Sequence, residues 1–205
     1  MRMMTRMAAA AAAFAMMSLP AAAQMAPSSD PASVQAGVYN LETSHARVLF
    51  GVSHFGFSTW YGDLPGATGV LNLDPTDVSK AKLEVSIPVA SLSTTNAKLD
   101  EELKGPQWFN AQAHPTITFR STAVERTGPS TAKVTGDLTF RGVTRPVTLD
   151  ANFRAFGQNP MNKAYTVGFE VRGKIRRSDF GFNIYVPAIG DEVELIISAP
   201  FEKAG

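Results

Sequence analysis

The sequence predicts an all-β domain: an antiparallel barrel of about eight strands around an elongated apolar cavity, with one short helical insertion. Apolar and polar residues alternate with a period of two along most of the chain after residue 36, and two of the alternating segments are unusually long. The alternation stops between residues 94 and 114, and this break places the insertion.

About nine alternating segments are expected to be strands, each with one buried and one solvated face. A connection such as Arg141-Gly142-Val143-Thr144 between two of them is typical of a β-hairpin. In chain order the predicted strands lie near residues 38–41, 47–53, 67–74, 82–87, 116–120, 134–140, 144–156, 164–177 and 193–199.

The insertion is predicted to contain a helix at residues 97–103. This stretch consists of good helix formers and lacks the alternation of a strand. Asn96 precedes it as a candidate N-cap, and Gly105-Pro106 is expected to end it.

Strand length bears on what the domain encloses. The segments at 144–156 and 164–177 exceed the usual five or six residues, and at about 3.3 Å per residue the first would reach roughly 40 Å. A closed barrel of such strands surrounds an apolar interior that can hold one ligand, whereas a sandwich buries the same residues against each other. The lengths favour the barrel, and a cavity-free β-sandwich interaction module stays open.

The first 23 residues have the layout of a secretory signal peptide. A basic start is followed by an apolar run at residues 7–19, which is shorter than the ~20 residues of a membrane-spanning helix. Pro20-Ala21-Ala22-Ala23 then offers a small-residue cleavage site. We therefore expect export to a bacterial periplasm, with residues 24–36 as a flexible leader and residues 37–203 as the folded domain.

Composition excludes several classes of function. The chain has 19 basic and 18 acidic residues, which gives no support to a nucleic-acid binder with its usual basic face. It has no cysteine, so disulfides, thiolate nucleophiles and Cys-ligated zinc are excluded. It also lacks the motifs of phosphate-binding loops, serine hydrolases and zinc proteases. We expect no catalytic residue, metal or cofactor.

Two polar residues continue the apolar phase of a strand at its end. His54 follows the strand at 47–53, and Arg177 ends the strand at 164–177. If consecutive strands alternate in direction, both residues lie at one mouth of the barrel, where they would hold a ligand head group while the walls contact its tail. Asp179 follows closely and is included in this head-group site. The alternative is that these side chains are solvated strand ends.

Aromatic residues gather in the connections at the same predicted end, where they would form either a lipid entrance or a space-filling plug. These residues are Phe55, Phe57, Trp60, Tyr61, Trp108, Phe109, Phe180, Phe182 and Tyr185. The predicted tail-binding wall of the cavity comprises Phe50, Trp108, Phe109, Ile117, Phe119, Leu138, Val167, Phe169 and Ile175.

An ordered series of short motifs resembles the YceI-like family of bacterial periplasmic polyisoprenoid-binding proteins. The resemblance extends from about residue 39 to residue 202. The motifs are His45 with VLFGVSH at 48–54, SLST at 91–94, Leu99-Asp100, Leu103-Lys104, WFN at 108–110, HPTITF at 114–119, GDLTFRGVTRPV at 136–147 and RSDFG at 177–181.

The resemblance implies a lipocalin-like barrel with an isoprenoid tail inside and no catalytic activity. We expect non-catalytic binding or carriage of an isoprenoid lipid, such as a polyprenyl phosphate or a quinone-like molecule, with transient contact to the inner membrane. The sequence leaves open an enzyme that acts on such a lipid through His54 and Arg177. It also leaves open the oligomeric state, a homodimer included.

The signal-peptide assignment predicts a mature chain that begins at Gln24. N-terminal sequencing of the protein recovered from the periplasm checks this expectation, and a mature chain that still begins at Met1 would contradict it.

Overall fold

The structure, a computed structural model, describes residues 26–205, so the predicted signal peptide lies outside the described residues. Within this range ten strands form one antiparallel sheet, and no helix is long and apolar enough to cross a membrane. The elements are β1 Gly37–Leu41, β2 Arg47–His54, β3 Ser58–Asp63, β4 Thr68–Leu73, β5 Lys82–Pro88, α1 Ala97–Lys104, β6 Thr116–Arg126, β7 Thr131–Phe140, β8 Val143–Gln158, β9 Tyr165–Arg176 and β10 Ile189–Lys203.

The sheet closes on itself because β1 pairs with a strand on each side. Tyr39 of β1 lies opposite Leu71 of β4 on one side and opposite Lys203 of β10 on the other. From β4 to β10 each strand pairs with the next one in the chain. Every strand of this circuit has a neighbour on both sides, whereas among the described strands β3 pairs along its length with β2 alone.

The barrel has eight strand positions, and two of these positions are each shared by two short strands. β1 and β2 follow each other along the same edge of β10, which pairs with β1 near its C-terminus and with β2 over the rest of its length. β3 pairs with β2, and β4 continues that position by pairing with β1 and β5. The ten described strands therefore make an eight-stranded barrel, which confirms the predicted fold.

Strand β3 was expected to be part of a connection. The tight turn before it places Phe55 and Gly56 at φ values of 54° and 73°, and the Phe57 N–H donates to the His54 carbonyl over 3.1 Å. Two successive positive φ angles are the mark of a type I′ hairpin turn, in which Asn, Asp or Gly usually comes first. Because Phe55 occupies this position instead, the sequence does not show the usual signal of a hairpin.

The two ends of the barrel differ in their connections. We call the upper end the one that holds the β2–β3 turn, residues 89–115, the β7–β8 turn and residues 177–188. The lower end holds residues 26–36 and the connections at 74–81, 127–130 and 159–164. The long and complex connections are thus concentrated at the upper end.

The helical insertion packs onto the upper end. Helix α1 begins after Asn96, whose side chain accepts from the Leu99 N–H over 3.2 Å, and it ends at Gly105, as predicted. After the helix, the Phe109 ring lies 4.9 Å from Phe140 of β7. The insertion therefore joins the hydrophobic core of the upper end rather than lying loose on the barrel.

Residues 28–36, predicted to be flexible, are instead docked at the lower end. Ser28 exchanges backbone hydrogen bonds of 2.8 Å with Phe156 of β8. Val34 is 6% exposed and belongs to the lower core, and the Gln35 N–H donates to the Tyr165 hydroxyl over 3.1 Å. The Pro, Ser and Ala content of the segment suggested flexibility and gave no sign that Val34 is buried.

This docking predicts that Val34→Ala lowers the free energy of unfolding by about 2 kcal/mol, since it removes two buried methyl groups at about 0.8 kcal/mol each and leaves a small void. Val38→Ala is the matched control because Val38 is 44% exposed on β1 and should lose only a few tenths of a kcal/mol. Urea unfolding of both variants measures the difference. Equal loss in the two variants would mean that the leader does not stabilise the barrel.

Candidate ligand cavity

A cavity of about 680 Å³ occupies the interior of the barrel. Its size falls within the range of about 300–1,000 Å³ typical of small-molecule sites. The walls are almost entirely apolar side chains from the inward faces of the strands. A sandwich would have buried these faces against each other, so the cavity-free sandwich alternative is wrong.

The structure places most of the predicted tail-binding residues on the wall of this cavity. Val167 does not border the cavity; it is fully buried in the lower core. The other eight predicted residues, Phe50, Trp108, Phe109, Ile117, Phe119, Leu138, Phe169 and Ile175, all line it.

Glycines on the inward face make room for the large wall residues. A Cβ atom added to Gly136 of β7 would lie 2.4 Å from the Phe119 ring, and one added to Gly62 of β3 would lie 2.2 Å from the Phe50 ring. Real Cβ atoms do not approach other atoms so closely. The two rings therefore lie flat against backbone, which keeps the centre of the barrel open.

The mouth of the cavity is at the upper end. With the exception of Ser198 on β10, the exposed lining residues all lie there: Phe55, Asn96, Lys98, Glu102 and Tyr185. Aromatic rings from three separate segments border the same opening. The Trp108 and Tyr185 rings lie 6.2 Å apart, and Trp60 also lines the cavity.

His54 and Arg177 lie at this same end, as the alternation of strand direction predicted. Strands β2 and β9 are both antiparallel to β10 and therefore run parallel to each other. The ring of His54 packs between aromatic neighbours, 4.5 Å from Phe55 and 5.7 Å from Trp60. Both polar residues line the cavity.

Arg177 is only 2% exposed, so it is not the solvated strand end that the sequence left open. Its guanidinium donates four hydrogen bonds to backbone carbonyls, two in the segment between β9 and β10 and two in the first residues of β10. Nε donates to Gly190 over 2.8 Å, Nη1 to Phe182 over 3.1 Å, and Nη2 to Ile184 and Ile189 over 2.8 and 2.9 Å.

These hydrogen bonds show that Arg177 stabilises the backbone around it, in addition to lining the cavity at its mouth. Burial lowers the pKa of Arg177 from its ordinary value, and nearby Asp191 opposes this shift. An arginine has five N–H donors and stays charged, so one N–H of Nη1 is left without a partner among the described residues. The guanidinium also lies 5.7 Å from the centre of the Trp108 ring, a cation–π contact that ties the insertion to the same point.

Asp179, the third predicted head-group residue, is exposed and does not border the cavity. A different carboxylate organises this turn. Asp191 accepts from the backbone N–H of Ser178 over 2.9 Å and from its hydroxyl over 2.8 Å. The structure therefore separates Asp179 from the other two predicted head-group residues.

Sequence reasoning missed the contribution of α1 to the mouth. Leu99 and Leu103 are four residues apart, so they share one helix face, and both line the cavity. Asn96, Lys98 and Glu102 border it at the edge of the same face. The i, i+4 spacing of the two leucines was the signal that could have identified this helix as part of the site.

Two residues at the mouth adopt a costly backbone conformation. Phe55 and Tyr185 have φ values of 54° and 61°, in the left-handed region that bulky side chains avoid. Each such residue costs on the order of 1–2 kcal/mol relative to glycine or an ordinary conformation. Strain of this kind is often retained where a side chain serves a function beyond folding.

The three histidines do not converge. His45 lies on the turn between β1 and β2, where it pairs with Glu42, and His114 packs near Gly142 at the upper end. Within residues 26–205 no three His, Cys, Asp or Glu side chains are grouped as metal ligands.

Comparisons with known proteins agree with this architecture. The sequence profile of the YceI-like domain matches residues 39–201. A UPF0312 protein of Serratia proteamaculans is 38% identical over 160 residues, which cover 78% of this chain and 82% of that protein.

Solved structures share the fold. BcnA of Burkholderia cenocepacia matches with a TM-score of 0.71 and 22% identity, over 78% of this chain and 98% of that one. A polyisoprenoid binding domain from Saccharophagus degradans, implicated in plant cell wall breakdown, matches with a TM-score of 0.62 and 11% identity, over 83% and 100% of the two chains.

The hydrogen bonds of Arg177 predict that Arg177→Met destabilises the protein by about 3 kcal/mol or more, because four buried carbonyls lose a charged donor together. Arg176→Met is the control: Arg176 is exposed at the end of β9, and its replacement should change stability by no more than about 0.5 kcal/mol. Thermal or urea unfolding measures both. If Arg177→Met were as stable as the control, the four bonds would not hold the upper end together.

Proposed function

This chain belongs to the YceI-like family, and we propose that it binds and carries an isoprenoid lipid in its barrel cavity without altering the lipid chemically. The observation that carries the proposal is the apolar cavity of about 680 Å³ inside the closed barrel. The polyisoprenoid-binding description of the structurally similar Saccharophagus degradans domain supports the ligand class.

The distribution of polar groups indicates how such a lipid lies in the cavity. The polar lining residues, apart from Ser198, are at the upper end, whereas the lower part is bordered by residues such as Leu73, Phe169 and Phe201. A polar head group placed in the lower part would lose its hydrogen bonds to water without replacement, which costs several kcal/mol. The tail therefore points down and the head group stays at the mouth.

The mouth offers few but suitable partners for the head group. Lys98 supplies a positive charge, and His54 and the remaining Nη1 donor of Arg177 supply hydrogen bonds. A phosphate and a quinone carbonyl both accept such bonds. We therefore propose a polyprenyl phosphate or a quinone-like lipid as the ligand.

Carriage, rather than chemical transformation, agrees with the surroundings of the two polar residues. His54 is flanked by Phe55 and Trp60, and four of the five donors of Arg177 are bound to backbone carbonyls. These surroundings support a role for both groups in holding a head group. With the predicted signal peptide, this supports a periplasmic carrier that collects and delivers its lipid at the inner membrane.

The proposal predicts that affinity rises with tail length and then levels off. Burial is worth about 0.8 kcal/mol per CH₂-sized group, so each five-carbon unit adds up to a few kcal/mol, less the cost of ordering it. The rise should end once the tail fills the cavity of about 680 Å³. Dissociation constants for one head group with tails of increasing length measure this. Affinity independent of tail length would contradict the proposal.

A substitution deep in the cavity refines the same measurement. Ala132→Phe on the lower wall should leave short tails unaffected and should make the affinity level off at a shorter tail. Ala123→Phe is the control, because Ala123 is exposed and does not border the cavity.

A further inference from the structure

Exposed apolar side chains are concentrated at the upper end of the barrel. Among residues 26–205, four of the eight exposed large hydrophobic side chains lie there, and Phe57 is 93% exposed. The other three are Phe55 in the β2–β3 turn and Tyr185 and Val186 in the segment before β10. We call these four residues the aromatic tip.

The two segments of the aromatic tip form one surface. The Phe55 N–H donates to the Ala188 carbonyl over 2.8 Å, and His54 pairs with Ile189. The β2–β3 turn and the segment before β10 are therefore held side by side through backbone contacts.

The backbone favours other residues at two of these positions. Phe55 occupies the first central place of a type I′ turn, where Asn, Asp or Gly is preferred, and Tyr185 also has a positive φ. Neither ring gains full burial in return, since both are exposed. Bulky rings at strained and exposed positions favour a role outside the fold itself.

The aromatic tip is continuous with the cavity. Phe55 and Tyr185 border the cavity with one side and face solvent with another, while Phe57 lies beyond them. A lipid tail that moves between the cavity and an apolar phase in contact with Phe57 would pass along aromatic rings instead of crossing water.

The size and chemistry of the aromatic tip favour a membrane over a protein partner. Its exposed area is on the order of 500 Å², since a whole aromatic side chain presents about 150–250 Å². A stable protein interface needs about 800 Å² from each partner. Aromatic side chains are well suited to the boundary between lipid tails and head groups.

We propose that the aromatic tip docks on the surface of a lipid bilayer, with Phe57 inserted among the lipids and the cavity mouth facing the membrane. This inference rests on the proposed function, because it assigns the surface through which the lipid enters and leaves.

Flotation of the full mature chain with phosphatidylcholine vesicles tests the docking. Phe57→Ser should weaken vesicle binding roughly ten- to a hundredfold, which is the worth of burying one aromatic side chain. Met161→Ser is a closely matched control, because Met161 is 88% exposed and lies in the β8–β9 connection at the opposite end. Its vesicle binding should equal that of the unmodified protein.

A second measurement separates this inference from the proposed function. Affinity for a water-soluble, short-tailed prenyl phosphate, measured without vesicles, should be the same in all three proteins. Vesicle binding that is absent, or unchanged by Phe57→Ser, overturns the docking even if the prenyl phosphate binds. Docking without any prenyl phosphate affinity supports the membrane surface and counts against the proposed function. A dimer that dissociates on Phe57→Ser would show that a second copy covers the aromatic tip, and would overturn the inference.

Discussion

Closure of the sheet is the constraint on which the rest of this structure depends. It is achieved by a five-residue strand, β1, which pairs with β4 on one side and β10 on the other. Once closed, the inward faces of eight strand positions can contact only each other across the barrel or a ligand within it. Side chains from those faces leave a cavity of about 680 Å³, and this cavity is the basis of the proposed function.

The two ends of the barrel divide the tasks of stability and access. At the lower end, Val34 anchors the leader against the core. At the upper end, Arg177 binds two carbonyls of the segment before β10 and two at the start of β10, while the mouth beside it stays open to solvent. The buried charge of Arg177 thus positions the segment that carries Tyr185. Because backbone hydrogen bonds hold this segment, its aromatic side chains can stay exposed at the mouth.

Alternation predicted the wall of the cavity well because it reports directly which face of a strand a residue occupies. It also placed His54 and Arg177 at one end, since strand direction follows from strand order. Omitting β3 from the predicted strands did not change this result. The reason is that β3 and β4 run in the same direction and together fill one strand position of the barrel.

What the sequence could not supply depended on the path of the chain through loops. Nothing local to Arg177 indicates that four carbonyls from residues 182–190 converge on it, or that Asp191 rather than Asp179 caps its turn. The most direct test of the central claim is a crystal structure of the protein loaded with a long-tailed polyprenyl phosphate. The account predicts continuous tail density from the mouth beside His54 down to Phe169, with the phosphate at the upper end. A lipid bound on the outer surface, or with its phosphate at the lower end, would contradict it.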